Sequence, residues 1–113
     1  MNGNAIARKL KTLQEKGSIR SVDVANVLQI RPETVSRWNQ GKAFPQPDAE
    51  RTLLDLEYVV DQLGDLYEPD EARLWLFSRQ KLLDGQIPAE LIQQHRTVEV
   101  LNVIRQVLEG VQI

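Results

Sequence analysis

The sequence predicts an all-α chain: an N-terminal helix-turn-helix bundle followed by a small second helical unit. Three observations lead there. Apolar residues recur at intervals of three and four along most of the chain, the period of a helix with one buried face. Proline and glycine punctuate these stretches in the order that suits helix starts and stops. No segment alternates apolar and polar residues as a half-buried strand would.

The first helix is expected from Asn4 to about Lys16. Ala5, Ile6, Leu10 and Leu13 form its apolar stripe, and Arg8, Lys9, Lys11, Glu15 and Lys16 its polar face. Gly17 follows at the place where a left-handed residue commonly ends a helix. Ser21 to Gly41 then reads as two short helices joined by a tight turn, Val22–Leu28 and a second helix opened by Pro32. Val24, Leu28, Ile30, Val35 and Trp38 point inward in this reading, and the small Ala25 lies at a close helix crossing. The outside of the second helix carries Glu33, Thr34, Ser36, Arg37 and Asn39, a polar face suited to a DNA major groove. Two residues depart from the usual pattern. Gln29 occupies the turn where glycine is common, and Arg31 precedes Pro32 where Ser, Thr or Asp would cap better.

Lys42 to Asp48 contains two prolines and predicts an extended connection. Asp48 is expected to cap a long helix of about 24 Å with Leu53, Leu56, Val60 and Leu63 on one face, widened by Leu54 and Val59. Tyr58 falls at the margin, and Gly64 stops the helix. Pro69 opens a helix over Asp70–Phe77, and Ser78 is expected to cap a short turn of helix over Arg79–Leu83, closed by Asp84-Gly85. Pro88 starts a helix from Ala89 to about Gln94. Thr97 is expected to cap the last, Val98–Glu109, with Leu101, Ile104 and Leu108 inward, Val100, Val103 and Val107 alongside, and Gly110 ending it. The expected organisation is therefore 1–47 as the helix-turn-helix unit, 48–67 as a connecting helix and 68–113 as the second unit with its C-terminal tail.

Composition narrows the class. The chain has 113 residues, 42% hydrophobic and 27% charged, which is an ordinary globular balance. It has no cysteine, so neither a disulfide framework nor a thiolate metal site is expected. No apolar run approaches the length of a membrane span and no apolar signal segment opens the chain, so a soluble cytoplasmic protein is expected. The net charge of −2 is unevenly spread. Residues 1–51 hold nine Lys/Arg against five Asp/Glu, and residues 52–113 hold five against eleven. A basic front half can neutralise phosphates while an acidic rear half turns away from them.

The sequence offers little to an enzyme. The single histidine, His95, has no His or Cys partner at metal-ligand spacing and reads as a surface residue. There is no glycine-rich phosphate loop and no recognisable nucleophile, base and acid set. No catalytic residue, metal or cofactor is expected. For DNA, Thr34, Ser36, Arg37 and Asn39 are the candidates for base edges or phosphates, with Arg31 and Lys42 for phosphates. Glu33 on the same helix repels phosphates and lowers the expected affinity.

The rear half carries the more distinctive pattern. Trp75 is followed by a short polar loop, the pair Leu82-Leu83, a polar gap and Pro88-Ala89-Glu90-Leu91. A last amphipathic helix ends close to the terminus in Leu108-Glu-Gly-Val-Gln-Ile113. Trp75, Phe77, Leu82, Leu83, Ile87 and Leu91 are the expected core of this unit. Here the chain resembles the Xre/MbcA/ParS-type antitoxin family, with its MbcA branch the best match. The front half fits the family's Xre-like helix-turn-helix through Val35-Ser-Arg-Trp38 and Gly41-Lys42. The resemblance spans roughly residues 20–113.

The resemblance implies a type II toxin-antitoxin pair. Its members neutralise a cognate RES-domain toxin that consumes NAD or transfers ADP-ribose. The rear domain binds the toxin, and the C-terminal end approaches or plugs the substrate cleft. Many members repress their own operon through the front domain, and they commonly form homodimers. On this chain the plug falls on Val111, Gln112 and Ile113, and the exposed turn carrying Arg79 and Lys81 supplies further toxin-binding candidates. The alternative is a stand-alone helix-turn-helix transcriptional regulator whose C-terminal helices mediate dimerisation.

Overall fold

The computed structural model describes the backbone of residues 2–110 and the side chains of residues 5–110, so Val111, Gln112 and Ile113 lie outside the described residues. The elements are α1 (Asn2–Gly17), α2 (Ser21–Leu28), α3 (Pro32–Asn39), α4 (Pro47–Leu63), α5 (Pro69–Leu76), a 3₁₀ turn (Lys81–Leu83), α6 (Pro88–Gln93) and α7 (Thr97–Leu108). The fold is all-α, as the periodicity predicts.

The organising element is α4. Leu53, Leu56, Val59, Val60 and Leu63 are all fully buried. At about 1.5–3 kcal/mol per buried aliphatic side chain, this stripe alone contributes on the order of 10 kcal/mol before chain entropy is set against it. α1 packs along one side of α4, and α6 and α7 pack along the other. α5 runs back onto α1, and α6 rests on α2. One hydrophobic cluster consequently runs through the molecule from Ile6 to Ile104. No buried side-chain nitrogen or oxygen lacks a hydrogen-bond partner among the described residues.

Several helix ends differ from expectation, each for a local reason. Gly17 does not take the left-handed position; Ser18 does, with φ 52°. Gly17 stays helical where α1 crosses α4, and a Cβ there would lie 2.9 Å from Val60 Cγ1. The glycine serves close approach rather than a turn. Asp48 does not cap α4. The fixed φ of Pro47 starts the helix one residue earlier, with Gln46 as its cap residue. Ser78 does not cap a following helix either. Its hydroxyl donates back to the Leu74 carbonyl and closes α5. The short turn of helix after it is a 3₁₀ turn over Lys81–Leu83, starting two residues later than expected, and Asp84 and Gly85, with φ 57° and 80°, then fold the chain back. There Gly85 N–H donates to Gln80 at 2.9 Å. Thr97 is the first residue of α7 and not its cap. Its hydroxyl crosses to Asp55 Oδ2 on α4 at 2.9 Å.

The apolar stripes also shift in places. Ala5 is exposed on α1, and Leu54 and Tyr58 are 41% and 55% exposed on α4. On α7 the buried face is Val100, Val103 and Ile104, with Leu101 half-buried and Val107 and Leu108 exposed. Burial of Val100, Val103 and Ile104 sets this rotation of α7, and the Thr97–Asp55 bond to α4 forms in the same orientation. Leu82 is 48% exposed, outside the core assigned to it, because the tight 3₁₀ geometry turns Leu83 inward instead.

Candidate functional site

The helix-turn-helix is built by two backbone-closed turns. α2 ends with Gln29 in the left-handed region (φ 59°, ψ 45°). Ile30 N–H donates to the Ala25 carbonyl at 2.9 Å and Gln29 N–H to Asn26 at 3.3 Å, the paired bonds of a Schellman motif. Gln29 therefore performs the glycine's role at a steric cost. α3 ends the same way around Gly41 (φ 74°), with Lys42 N–H on Arg37 at 2.9 Å and Gly41 N–H on Trp38 at 3.1 Å. Val24, Ala25, Val35 and Trp38 are buried between the two helices, and Leu28 and Ile30 are half-buried.

This packing turns the candidate DNA residues outward. Ser36, Arg37 and Asn39 on α3 are exposed, and Thr34 is half-buried. Arg31 precedes α3 and Lys42 follows it, both exposed, so cations bracket a polar helix face. Arg37 Nη2 donates to the Lys42 carbonyl at 3.5 Å. Glu33 is exposed in the first turn of α3, where its charge favours the positive helix end. Its place has a structural reason even though it opposes phosphate binding.

A buried ion pair joins this front motif to the rear helices, and no sequence signal singled it out. Asp23 on α2 is 7% exposed. Its carboxylate accepts Arg73 Nη1 at 2.5 Å and Nη2 at 3.0 Å from α5, and the Arg20 backbone N–H at 2.9 Å. Arg73 Nη1 also donates to the Ser18 carbonyl at 3.0 Å, and its guanidinium lies 5.3 Å from the Phe77 ring centre. Burial pushes the Asp23 carboxyl up, but the Arg73 fork, the Arg20 N–H and the two guanidinium charges outweigh it and hold it below the ordinary carboxylate value. The Arg73 pKa is raised, chiefly by its bond to Asp23. The available clue was an acid between Val22 and Val24, on the buried side of a short helix, with Arg73 the one cation of an otherwise acidic α5. Gln93 adds a second tie, its amide donating to the Val27 carbonyl at 3.0 Å.

The toxin-binding candidates Arg79 and Lys81 share the loop between α5 and α6. Lys81 and Arg79 are both exposed. Gln80 N–H donates to Gln86 at 3.1 Å and closes the base of this loop, while Arg79 Nη1 donates to the Gly85 carbonyl at 3.1 Å. Beside it, Tyr67, Glu71, Leu74, Trp75, Ser78 and Gln80 line a shallow, mostly apolar depression of about 430 Å³. Leu74 is 69% exposed and Trp75 half-buried. Sequence reasoning placed Trp75 in the core and overlooked Leu74. The signal was present, since Ala72 and Leu76 already fill the inward face of α5 and Leu74 falls opposite them.

No group of three or more His, Cys, Asp or Glu side chains suited to a metal occurs among the described residues, and no described helix is long and apolar enough to cross a membrane. His95 has φ 62°, and its side chain is 39% exposed, with Nε2 3.5 Å from Asp48.

Comparison with known proteins adds to this geometry. No protein-family model matches the chain. It is 31% identical over 111 residues to the mycobacterial cidal antitoxin MbcA of Mycobacterium tuberculosis, covering 98% of each chain, and matches the Mycobacterium bovis MbcA to the same extent. Among solved structures, it superposes with a TM-score of 0.84 and 30% identity on a chain of the M. tuberculosis MbcT–MbcA toxin-antitoxin complex, covering 95% of this chain and 96% of that one. Identity at this level over essentially the full length of both sequences, together with the same all-helical architecture, places the chain in the MbcA family of antitoxins.

Proposed function

We propose that this chain is the antitoxin of a type II toxin-antitoxin pair. Its partner is a RES-domain toxin that consumes NAD or transfers ADP-ribose, and it acts by occluding the toxin's active-site cleft. The observation that carries this reading is the end-to-end likeness to MbcA, in sequence and in a fold solved within a toxin-antitoxin complex. Partial likeness confined to the helix-turn-helix would have favoured a stand-alone regulator, since that motif occurs in many unrelated proteins.

The toxin contacts are assigned to the rear unit, residues 68–113. Arg79 and Lys81 supply cations on a loop held by its own backbone bonds, and the apolar shelf of Leu74 and Trp75 beside them offers surface to bury. Val111, Gln112 and Ile113 form the plug. Autorepression is assigned to residues 1–47 through Arg31, Thr34, Ser36, Arg37, Asn39 and Lys42, with residues 48–67 as the connecting spine. The exposed polar face of α3 supports this assignment. A homodimer fits the exposed Leu54 and Tyr58 on α4 and Val98, Val107 and Leu108 on α7, which exceed what the chain's own core uses.

The test is inhibition of the purified toxin by the full chain and by a chain lacking Val111–Ile113. Truncation is expected to weaken inhibition strongly while leaving the melting temperature nearly unchanged. Full inhibition by the truncated chain rules out the plug.

A further inference from the structure

The groove where α1 meets the helix-turn-helix carries chemistry that the candidate DNA face does not use. It is open, about 590 Å³ in volume, and lined on its polar side by Arg8, Lys11 and Gln14 of α1, Ser21 at the start of α2 and Asn39 at the end of α3. No carboxylate lines it. Arg8 and Lys11 are both exposed and lie three residues apart, so they share one face of α1. Arg8 makes no ion pair among the described residues. Lys11 has only a 4.0 Å approach to Glu15, with both side chains well exposed. Ser21, the first residue of α2, opens onto the same groove, while the Asp23 carboxylate in that first turn is held by Arg73 and is not part of the groove's lining.

Two exposed cations, two amides and a hydroxyl form a surface for anionic oxygens. The groove is continuous with α3 through Asn39, which the DNA reading already uses. An open trough beside a recognition helix suits a run of backbone phosphates better than one small anion, which an enclosed pocket would hold.

We propose that this groove seats the sugar-phosphate backbone of duplex DNA, with Arg8 and Lys11 as phosphate contacts additional to those on α3. The inference rests on the DNA-binding reading of the front motif and deepens it. It gives the duplex a second line of attachment, on α1, and offsets the repulsion from Glu33. These contacts carry no sequence information, so they raise affinity without changing preference.

The test is fluorescence anisotropy of a labelled mixed-sequence duplex of about 30 base pairs, titrated with the full chain from about 50 to about 200 mM salt. Arg8→Gln with Lys11→Gln is expected to lower the slope of log affinity against log salt by about 1.8, at about 0.9 for each phosphate no longer neutralised. Arg8→Lys, which keeps the charge, retains the slope, and so does Arg105→Gln on α7, which changes net charge away from the groove. Circular dichroism melting of each variant checks that the fold is intact. A slope unchanged in the double variant, while the wild-type chain binds, overturns the groove and leaves the α3 face standing. A wild-type chain that binds no duplex overturns the DNA reading and the groove with it.

Discussion

Arg73→Ala is the most informative single change to the fold. It removes two charge-assisted hydrogen bonds to Asp23 and one bond to the Ser18 carbonyl. It leaves a carboxylate whose side chain is 10% exposed with the Arg20 N–H as its remaining close donor. Breaking a buried pair from one side costs about 3–5 kcal/mol. The Arg73 side chain is 33% exposed, so water enters the vacated space and solvates Asp23 in part. The expected loss is then about 3 kcal/mol, or roughly 12 °C in melting temperature for a domain of this size. Urea and thermal unfolding followed by circular dichroism measure it. The pH dependence adds a signed check. The Asp23 pKa is depressed in the folded chain, so the stability from the pair is full above the ordinary carboxylate pKa and lost as pH falls through the folded value. Without Arg73 the acid-labile contribution of the pair is gone and burial pushes the carboxyl upward, so the variant's deficit relative to the wild type is largest at neutral pH and shrinks as pH falls through the carboxylate range. A loss under about 1 kcal/mol with an unchanged acid profile would refute the claim that this pair clamps the helix-turn-helix to the rear helices.

Three further outcomes are expected. Gly17→Ala gains about 1 kcal/mol of helix propensity but forces its Cβ against Val60, which is fully buried and stiff. Overpacking of about 2 kcal/mol wins, for a net loss of about 1 kcal/mol, and Val60→Ala in the same chain removes the clash, which a double-mutant cycle reads as coupling. Gln29→Gly relieves about 1–2 kcal/mol of left-handed strain, loses about 0.5–1 kcal/mol to the freer unfolded chain, and stabilises by about 0.5 kcal/mol in urea unfolding. Arg37→Ala lowers the salt slope of duplex binding by about 0.9 while toxin inhibition is retained; joint loss of both activities would show that the two functions are not separable along the chain.

Most of the fold was legible in the sequence because its signals are local. Leu53, Leu56, Val60 and Leu63 repeat at helical spacing, and all are buried where the period places them. Prolines 32, 47, 69 and 88 each begin a helix, since a fixed φ acts at its own position. The misplaced features depend on distant partners. Gly17 reads as a stop signal until Val60 is brought beside it. Thr97 reads as a cap until α7 docks on Asp55. The Asp23–Arg73 pair joins residues 50 apart in sequence, and no spacing rule connects them. The candidate sites divide in the same way. The outward set of α3 follows from helical period and the burial of Val35 and Trp38, so it was legible. The groove beside Arg8 and Lys11 is formed by three helices meeting and was not. Leu74 and Leu82 were hidden because hydrophobicity alone does not tell an exposed apolar residue from a core one.

Neutralisation of a RES-type toxin, the central claim, is tested most directly by co-expressing this chain with its cognate RES-domain protein and measuring growth. Restored growth, with a stable complex of the two purified proteins, is the predicted result. Undiminished toxicity in the presence of well-folded, abundant antitoxin, or the absence of any complex between the two, would contradict it.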